Sequence, residues 1–423
     1  MPIEPVILIA MLAVFAVGVF LAKLPAGIAL ALSAVAGALV AGEGIPIRHL
    51  VEGAFGYLDA VLIIATAMIF MKAIEASGAL ETISNAMIAT LYRWPTLLMV
   101  FVTFFIMFPG MLTGLSSACI LTTGALVTPA LLAMGMPPLA VGSLVAMAAV
   151  YGMIAPPINI PAMIIGGGVD MPYIGFEGPL LLATVPLAVV SALIYRFRYI
   201  GRIDREQVLA RIPPSVYPLH GAKLFLPLVV VVGLMVAVRA VPQWVPDIGV
   251  PLIFLLGALS ALGTGNRFNM FLISRAAIRD ALPVMAILVG VGMFVQIMTL
   301  TGVRGYIAAG ALRLPELFLY GGIALIMPAF GSAYAASSVI GVPLVYVFLG
   351  RDEIVVTSAL SLIAGVGDLM PPPSLLCVFA AQLVGEKNHF RILRASLPLI
   401  VLSLAVGIAL IVFAADVGSA LHY

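Results

Sequence analysis

The feature that most constrains this chain is a run of 76 residues, from Trp94 to Val169, that contains no Asp, Glu, Lys, Arg or His. A helix that crosses the hydrocarbon core of a membrane needs about 20 apolar residues, so this run can hold several consecutive membrane segments. Over the whole chain 63% of the residues are hydrophobic and 9% are charged, whereas a soluble domain carries about 25% charged residues. The composition predicts an all-α polytopic membrane protein.

The remaining composition argues against several classes of function. The net charge is +2 and no basic tract stands out, so we expect no nucleic-acid partner. Cys119 and Cys377 both lie in apolar runs and indicate no disulfide or metal framework. We expect no cofactor and no metal centre, because the four histidines lie in polar connections or at the terminus: His49, His220, His389 and His422. An intramembrane enzyme would need a catalytic pair within the spans, and the charge-free run argues against one.

The apolar segments divide the chain into two membrane repeats, 1–195 and 224–423, joined by a hydrophilic linker, 196–223. The N-terminus lacks the basic region and cleavage site of a removable signal, so the first run should stay as a helix. Residues 43–53 mix apolar and charged side chains, as a short interfacial helix does, and 266–280 is its counterpart in the second repeat. The predicted spans are 5–22, 25–42, 57–75, 179–195, 223–241, 248–264, 281–300 and 395–416, with interrupted regions at 94–168 and 317–384.

One pattern occurs in both interrupted regions. The first copy has a Gly/Ser cluster in residues 108–118 and a proline pair in 155–159, and the second has the same features in 327–339 and 370–374. Gly, Ser and Pro break a helix in lipid, where freed backbone groups must find other partners. Paired breaks in two halves are typical of transporters built from internal repeats. We therefore predict two repeats with re-entrant hairpins and broken helices, in an elevator-like arrangement.

Loop charges indicate that the two repeats have opposite orientations. The linker 196–223 holds six basic residues, and 265–280 and 385–394 hold three each, whereas 43–56 and 169–178 hold Arg48 alone. Short loops rich in Lys and Arg stay cytoplasmic. The first three segments should therefore face the cytoplasm, and the last two, with both termini, the opposite side. Equivalent loops of the two halves carry opposite bias, which inverted-topology repeats produce.

The motifs resemble those of the large permease subunit of TRAP transporters. The likeness rests on residues 113–118, on Pro129, on the turn 134–137 and on residues 155–158, and in the second half on residues 371–374 followed by 379–382. Members of that family usually have an acidic residue just after the first Ser pair, where this chain has Cys119 and Ile120. The wider ion-transporter superfamily, which includes stand-alone carboxylate carriers, shares the duplicated architecture. The resemblance implies a small four-helix permease subunit and a periplasmic solute-binding protein as partners.

The breaks also suggest where solutes bind. Helix N-termini favour a carboxylate, and unwound carbonyls and hydroxyls can coordinate sodium. The resemblance implies two hairpin tips and two facing breaks as the site. Its candidate residues are Thr113, Gly114, Ser116 and Ser117 at the first tip, Gly331, Ser332, Ser337 and Ser338 at or near the second, Pro156, Pro157 and Asn159 at the first break, and Pro371, Pro372 and Ser374 at the second. Asp368, where the family more usually has a small or hydroxyl residue, is a candidate because of its own chemistry.

Each candidate also has a structural interpretation. Small residues often allow close helix packing, and Asn159 could simply bridge two helices. Asp368 is the sharpest candidate, because an acid within an apolar segment is by default a functional residue; the alternative is a helix-end residue that reaches interfacial water.

We expect a transporter in the inner membrane of a bacterium or archaeon, moving a small organic anion, such as a C4-dicarboxylate or sugar acid, with sodium. The open alternatives are a stand-alone carboxylate symporter, a sodium/proton antiporter and a channel.

Overall fold

The computed structural model describes residues 3–201, 203, 206, 208, 210–211, 215–241, 243–244, 246–371 and 373–421. Within these residues the chain is helical, and it forms no β-strand apart from an isolated bridge between Leu349 and Arg351. Eight of the helical segments in the described part are long and apolar enough to cross a membrane. The predicted all-α polytopic membrane fold is confirmed.

The first repeat begins with four helices, and these pack against helices of the second repeat. Their bounds are Glu4–Ala16 with a π-helical extension to Leu21, Ala26–Val40, Ile47–Phe55 and Leu58–Ser77. The helix Ile47–Phe55 corresponds to the predicted interfacial helix. In the second repeat the matching helices are Leu226–Ala240, Val250–Ala261 and Met270–Leu300. We call these helices the scaffold.

The predicted amphipathic segment 266–280 forms no separate helix. Residues from Met270 onward belong to one 31-residue helix that continues to Leu300 and passes through Pro283. Asn269 caps its start, with its side-chain oxygen accepting hydrogen bonds from the amides of Phe271 and Leu272. The helix is continuous because a proline in a membrane helix is tolerated where neighbouring groups satisfy the backbone.

Glycines allow the scaffold helices to pack closely. A Cβ added at Gly27 would lie 2.2 Å from the carbonyl oxygen of Ala286, and one added at Gly53 would lie 2.5 Å from that of Gly292. Small residues commonly permit such backbone approaches between membrane helices. The long helix Met270–Leu300 is thereby held against the second and third helices of the chain.

A left-handed glycine follows the last scaffold helix of each repeat. Gly78 has a φ of +83° and Gly302 a φ of +74°, values that favour glycine because it has no Cβ. Each glycine begins a connecting helix, Ala79–Leu91 in the first repeat and Val303–Leu312 in the second. We call these helices arm 1 and arm 2.

Each arm leads into a hairpin and then into a broken helix. Hairpin 1 spans 95–133 and hairpin 2 spans 316–347; broken helix 1 spans 138–167 and broken helix 2 spans 353–383. Their helices are Pro95–Thr113, Ser116–Cys119, Ala125–Ala133, Pro138–Ile154 and Ile160–Gly167 in the first repeat, and Glu316–Ala329, Ala333–Ala336, Val342–Val347, Glu353–Val366 and Leu375–Leu383 in the second. The repeats close with Glu177–Tyr199 and with His389–Val412, which a short helix, Ala414–Leu421, follows.

The two hairpins repeat one another in detail. Each tip has a left-handed glycine, Gly114 with φ +66° and Gly331 with φ +65°. The helix after each tip contains a π-helical turn, at Ile120–Gly124 and at Ser337–Gly341. These turns begin six residues beyond their respective glycines. The duplicated sequence pattern therefore forms duplicated structure.

Contacts assign the loops to two ends of the molecule. Ser77 and Asn266 are joined by a backbone hydrogen bond of 3.0 Å, and the His220 ring lies 3.3 Å from the Asn266 side chain. At the other end of the 20-residue helix Leu58–Ser77, the Tyr57 hydroxyl donates to the Ile164 carbonyl at 2.9 Å. A helix of that length spans about 30 Å, so His220 of the linker and Asn266 lie at the end of this helix opposite the 43–56 region.

Candidate functional site

The tip of hairpin 1 is shaped by Thr113, Gly114 and Leu115. The left-handed Gly114 ends the preceding helix, and Leu115 is extended. The Thr113 hydroxyl donates to the Pro109 carbonyl at 2.7 Å and accepts from the Leu115 amide at 3.2 Å. Both of these hydrogen bonds of the Thr113 hydroxyl are thus made within the turn. A Cβ at Gly114 would lie 2.5 Å from the side chain of Ile160, so this position also requires a small residue.

The tip of hairpin 2 is built in a related way. After Gly331, the extended Ser332 caps the next helix, its hydroxyl accepting from the Ala335 amide at 3.5 Å. The hydroxyls of Ser337 and Ser338 donate to the carbonyls of Ala333 and Ala335, at 2.8 and 3.0 Å. These two predicted site residues point back into their own helix.

The break in broken helix 1 is organised by Asn159. Its side-chain oxygen accepts from the Ala162 amide at 2.9 Å and so caps the helix after the break. Its side-chain nitrogen donates to the Ile154 carbonyl at 3.0 Å and to the Ser361 hydroxyl at 2.8 Å. Pro156 and Pro157 lie between. Asn159 is fully buried and bridges the two broken helices.

The break in broken helix 2 has no equivalent cap. Ser374 stands where the first repeat has Asn159, in a left-handed conformation with φ +55°. Its hydroxyl is fully buried and has no hydrogen-bond partner among the described atoms. Pro371 is exposed, and the predicted Pro372 lies outside the described residues. A buried hydroxyl without a partner is costly, and at a break in the membrane it is a potential ligand.

Asp368 joins both hairpin tips. One carboxylate oxygen accepts a hydrogen bond from the Ser116 hydroxyl at 2.8 Å, and the other accepts one from the Ala333 amide at 2.8 Å. Ser116 and Ala333 are equivalent in the two repeats, since each follows its tip glycine by two residues. The partly buried carboxylate thus lies between the two tips. It is the one charged side chain among the candidate residues.

A second contact connects the tips directly. The Tyr334 hydroxyl donates to the Gly114 carbonyl at 3.2 Å, and the Ile158 amide donates to the Met111 carbonyl at 3.2 Å. The tip of hairpin 1, at Gly114, therefore contacts hairpin 2. The turn of helix just before this tip, at Met111, contacts broken helix 1. The freed backbone groups of the break are in part satisfied by neighbouring protein, as membrane depth requires.

The structure thus brings some predicted residues together and separates others. Gly114, Ser116 and Asp368 meet at the centre, and Ser117, Gly331 and Ser332 lie beside them in the chain. Ala333 and Tyr334 were missed by the sequence prediction. Their signal was the repeat itself, because they stand at the positions that Ser116 and Ser117 occupy in the first copy.

Buried hydroxyls hold broken helix 1 to the long helix His389–Val412 near the end of the chain. The Ser143 and Ser396 hydroxyls lie 2.8 Å apart, and the Tyr151 hydroxyl lies 3.3 Å from that of Ser403. These contacts join broken helix 1 to His389–Val412. No group of three or more His, Cys, Asp or Glu side chains that could hold a metal ion occurs in the described part of the chain.

Two solved structures of membrane transporters are similar to this chain over most of their length. The Alcanivorax borkumensis YdaH transporter superimposes with a TM-score of 0.59 at 19% sequence identity, covering 87% of this chain and 88% of that one. The Neisseria gonorrhoeae MtrF protein, described as illuminating a class of antimetabolite efflux pumps, gives a TM-score of 0.60 at 18% identity, covering 88% and 84%. No protein-family model and no curated protein sequence matches the chain.

The fold is therefore one that membrane transporters share. At these identities the likeness concerns architecture and assigns no substrate. The resemblance of the motifs to the TRAP large permease stays a prediction.

Proposed function

We propose that this protein is a secondary active transporter that moves a small organic anion across a membrane together with a cation, sodium in the first instance. The observation that carries the proposal is the position of Asp368, whose carboxylate bridges the equivalent residues Ser116 and Ala333 of the two hairpin tips. Discontinuities paired in this way favour alternating access over a continuous pore.

The charge of the site supports a coupling cation. A carboxylate within the membrane is costly unless it is compensated, and Asp368 is the charged residue among the candidates. Carboxylate, hydroxyl and carbonyl oxygens are suitable ligands for a hard cation, and Asp368, Ser116 and the unpartnered Ser374 hydroxyl offer them. A bound cation would remove the negative charge that would otherwise repel an anionic substrate. Binding of the anion would then depend on binding of the cation.

A second candidate function is exchange of sodium for protons without an organic substrate. It is favoured by the same carboxylate, since the candidate residues include no Arg or Lys to bind an anion. Export of a solute, the direction named for MtrF, is a further possibility for the same site. These alternatives differ in whether a proton or an organic solute is transported, and in its direction relative to the cation.

The TRAP resemblance adds proposals about partners and place. A small four-helix permease subunit and a periplasmic solute-binding protein would assist transport, in the inner membrane of a bacterium or archaeon. Uptake by the purified chain that does not increase when the two partners are added would instead favour a stand-alone symporter.

The test is uptake of labelled succinate into proteoliposomes with and without an inward sodium gradient, comparing Asp368→Asn with Asp352→Asn. Asparagine at 368 can keep both hydrogen bonds, because its oxygen can accept from Ala333 and its nitrogen can donate to the Ser116 oxygen. Asp352 caps the start of broken helix 2 by accepting from the Val355 amide, which asparagine also does well. Both variants should fold.

We expect sodium-stimulated uptake in the native protein and in Asp352→Asn, and loss of the sodium stimulation in Asp368→Asn. Native sodium dependence in Asp368→Asn would remove Asp368 from the cation site. Sodium-driven proton movement in the absence of any organic anion, followed with a pH-sensitive dye in the same vesicles, would favour the antiporter.

A further inference from the structure

The first helices of the two hairpins differ in how far they are buried. In hairpin 1 the helix Pro95–Thr113 buries eleven of its 19 residues. In hairpin 2 the equivalent helix, Glu316–Ala329, buries four of 14. Its side chains Leu317 and Leu325 are 80% and 73% exposed. Hairpin 2 therefore has much less contact with the rest of the protein along its first helix.

The glycines next to the two breaks show the same difference. Gly152 and Gly367 are equivalent, each lying on the broken helix beside its hairpin. A Cβ at Gly152 would lie 2.5 Å from the carbonyl oxygen of Met107, and one at Gly110 would lie 2.7 Å from the carbonyl carbon of Gly152. At Gly367 the nearest atom would be the carbonyl oxygen of Pro328, at 3.3 Å. Both hairpins approach their broken helices backbone to backbone, and the approach is closer for hairpin 1 than for hairpin 2.

The second helix of hairpin 2 is attached to arm 2 by an arginine. The Arg304 guanidinium donates to the Tyr346 hydroxyl and to the Thr299 hydroxyl, the latter at 2.6 Å. It also lies over the Tyr346 ring, 5.2 Å from the centroid. Counted from the paired glycines, the equivalent residues of the first repeat are Leu80 and Pro129, which cannot form such a pair.

The first repeat has a cavity in place of this contact. Its volume is about 350 Å³, and its lining includes Glu81 of arm 1 and Pro129 of hairpin 1. Arm 1 and hairpin 1 thus border a cavity close to the position where Arg304 joins arm 2 to hairpin 2. Hairpin 1 is therefore packed more closely against its broken helix than hairpin 2 is, whereas hairpin 2 has a side-chain link to its arm through Arg304 and Tyr346.

At its tip, hairpin 2 is joined to the site by two hydrogen bonds already described, from the Ala333 amide to Asp368 and from the Tyr334 hydroxyl to Gly114. Neither hydrogen bond involves the Gly110–Gly152 contact of hairpin 1, so both can break without disturbing that contact. The left-handed Gly302, at the junction of scaffold and arm 2, has no Cβ to restrict rotation there.

From these differences we infer that hairpin 2 is the gate of the site, that hairpin 1 is its fixed wall, and that Arg304 is a positioning residue that holds the gate closed through arm 2. The role of hairpin 2 as a gate rests on the proposed transport function. The motion itself does not require transport and can be measured without it. Elements with few buried contacts are those that open locally at the lowest free energy.

The experiment compares the repeat-related residues Ile106 and Ile323, each eight positions before its tip glycine. Both are buried, with exposures of 0% and 3%. Each is replaced by cysteine, Ile106→Cys or Ile323→Cys, in a protein that carries Cys119→Ala and Cys377→Ala. The rate of reaction with N-ethylmaleimide is then measured in detergent without any substrate, with thermal unfolding as a check of the fold.

We expect Ile323→Cys to react at least about tenfold faster than Ile106→Cys, because opening of a loosely packed segment exposes it to water. Adding Arg304→Ala removes a hydrogen bond to a charged group, worth about 1.5–3 kcal/mol. The reaction at position 323 should accelerate by about tenfold or more, with position 106 unchanged. Arg313→Ala, at the exposed end of arm 2, is the matched control and should change neither rate.

Equal rates at the two positions, or a faster rate at 106, would overturn the assignment of the gate. Equal acceleration by Arg304→Ala and Arg313→Ala would overturn the role of Arg304. If either cysteine variant fails to fold, Leu319→Cys and Val102→Cys form a second equivalent pair on the same helices, 9% and 0% exposed. Labelling as expected in a protein that transports no organic anion would retain the gate and reject the proposed function, so the two failures are distinct.

Discussion

The Ser116 hydroxyl donates a 2.8 Å hydrogen bond to the carboxylate of Asp368, although 252 positions separate the two residues in the chain. Ser116 begins the second half of one hairpin, and Asp368 lies at the break of the opposite repeat. A hydrogen bond to a charged group contributes about 1.5–3 kcal/mol. This contact therefore links the two halves of the molecule where the proposed site lies.

Replacing Ser116 should impair transport more than replacing its neighbour. Ser116→Ala removes the donor to Asp368, and we expect the apparent sodium affinity of uptake to fall by about tenfold or more, as a loss of about 1.5–3 kcal/mol implies. Ser117→Ala removes a hydroxyl of the same size and should leave the affinity within about twofold of the native value. Sodium titrations of succinate uptake measure both. Similar losses in the two variants would show that the Ser116–Asp368 bond has no special role.

Asn159 should matter chiefly for stability. Asn159→Ala removes a helix cap, worth about 1 kcal/mol, and a buried hydrogen bond to Ser361, worth about another. We expect the free energy of unfolding to fall by roughly 2 kcal/mol. Ser361→Ala should cost about half of this, because the cap on Ala162 remains. Thermal unfolding followed by intrinsic fluorescence in detergent makes the comparison, and an unchanged transition in Asn159→Ala would contradict the bridge between the broken helices.

Gly152 should tolerate no side chain. In Gly152→Ala the new methyl group would meet the Met107 carbonyl, and overpacking of this kind costs about 1–3 kcal/mol. Gly367→Ala should cost less, since its nearest neighbour would be 3.3 Å away. Gly233→Ala is the control, with no described atom within 4 Å of the added Cβ and a helical backbone that alanine favours by about 0.5–1 kcal/mol. The unfolding temperature should be highest for Gly233→Ala, lower for Gly367→Ala and lowest for Gly152→Ala. Any other order would contradict the close packing of hairpin 1 against its broken helix.

The inverted topology can be tested by labelling from outside the cell. Single cysteines replace Arg48, Asp170, His220, Arg275 and Lys387, and an impermeant thiol reagent is applied to intact cells. Positions 48 and 170 should react, and the other three should react after the membrane is opened, because basic loops stay cytoplasmic.

The background for this labelling lacks both native cysteines, Cys119 and Cys377, which are buried. Reaction of positions 48 and 275 from the same side would indicate parallel repeats. The background protein without either cysteine sets the baseline for labelling.

Much of the architecture was predictable from the sequence. The spans, the two interrupted regions and the interfacial helix 47–55 follow from hydropathy and from Gly, Ser and Pro, because lipid leaves a backbone few alternatives to the helix. Gly114 and Gly331 could be placed at tips since a sharp turn needs a residue without a Cβ. The prediction of 266–280 as a separate amphipathic segment was wrong, because Pro283 is accommodated within one continuous helix.

The sequence by itself determined that this protein is a membrane-embedded, duplicated helical chain with breaks at matching positions, since these properties depend on local composition and spacing. Only the tertiary structure decided which hydroxyls serve the site. Ser337 and Ser338 donate to their own helix, whereas Ser116 reaches Asp368. It also decided that the first helix of hairpin 1 is packed closely and the first helix of hairpin 2 loosely. Such differences arise from contacts between distant segments, which two copies of one motif do not reveal because the motif is the same in both.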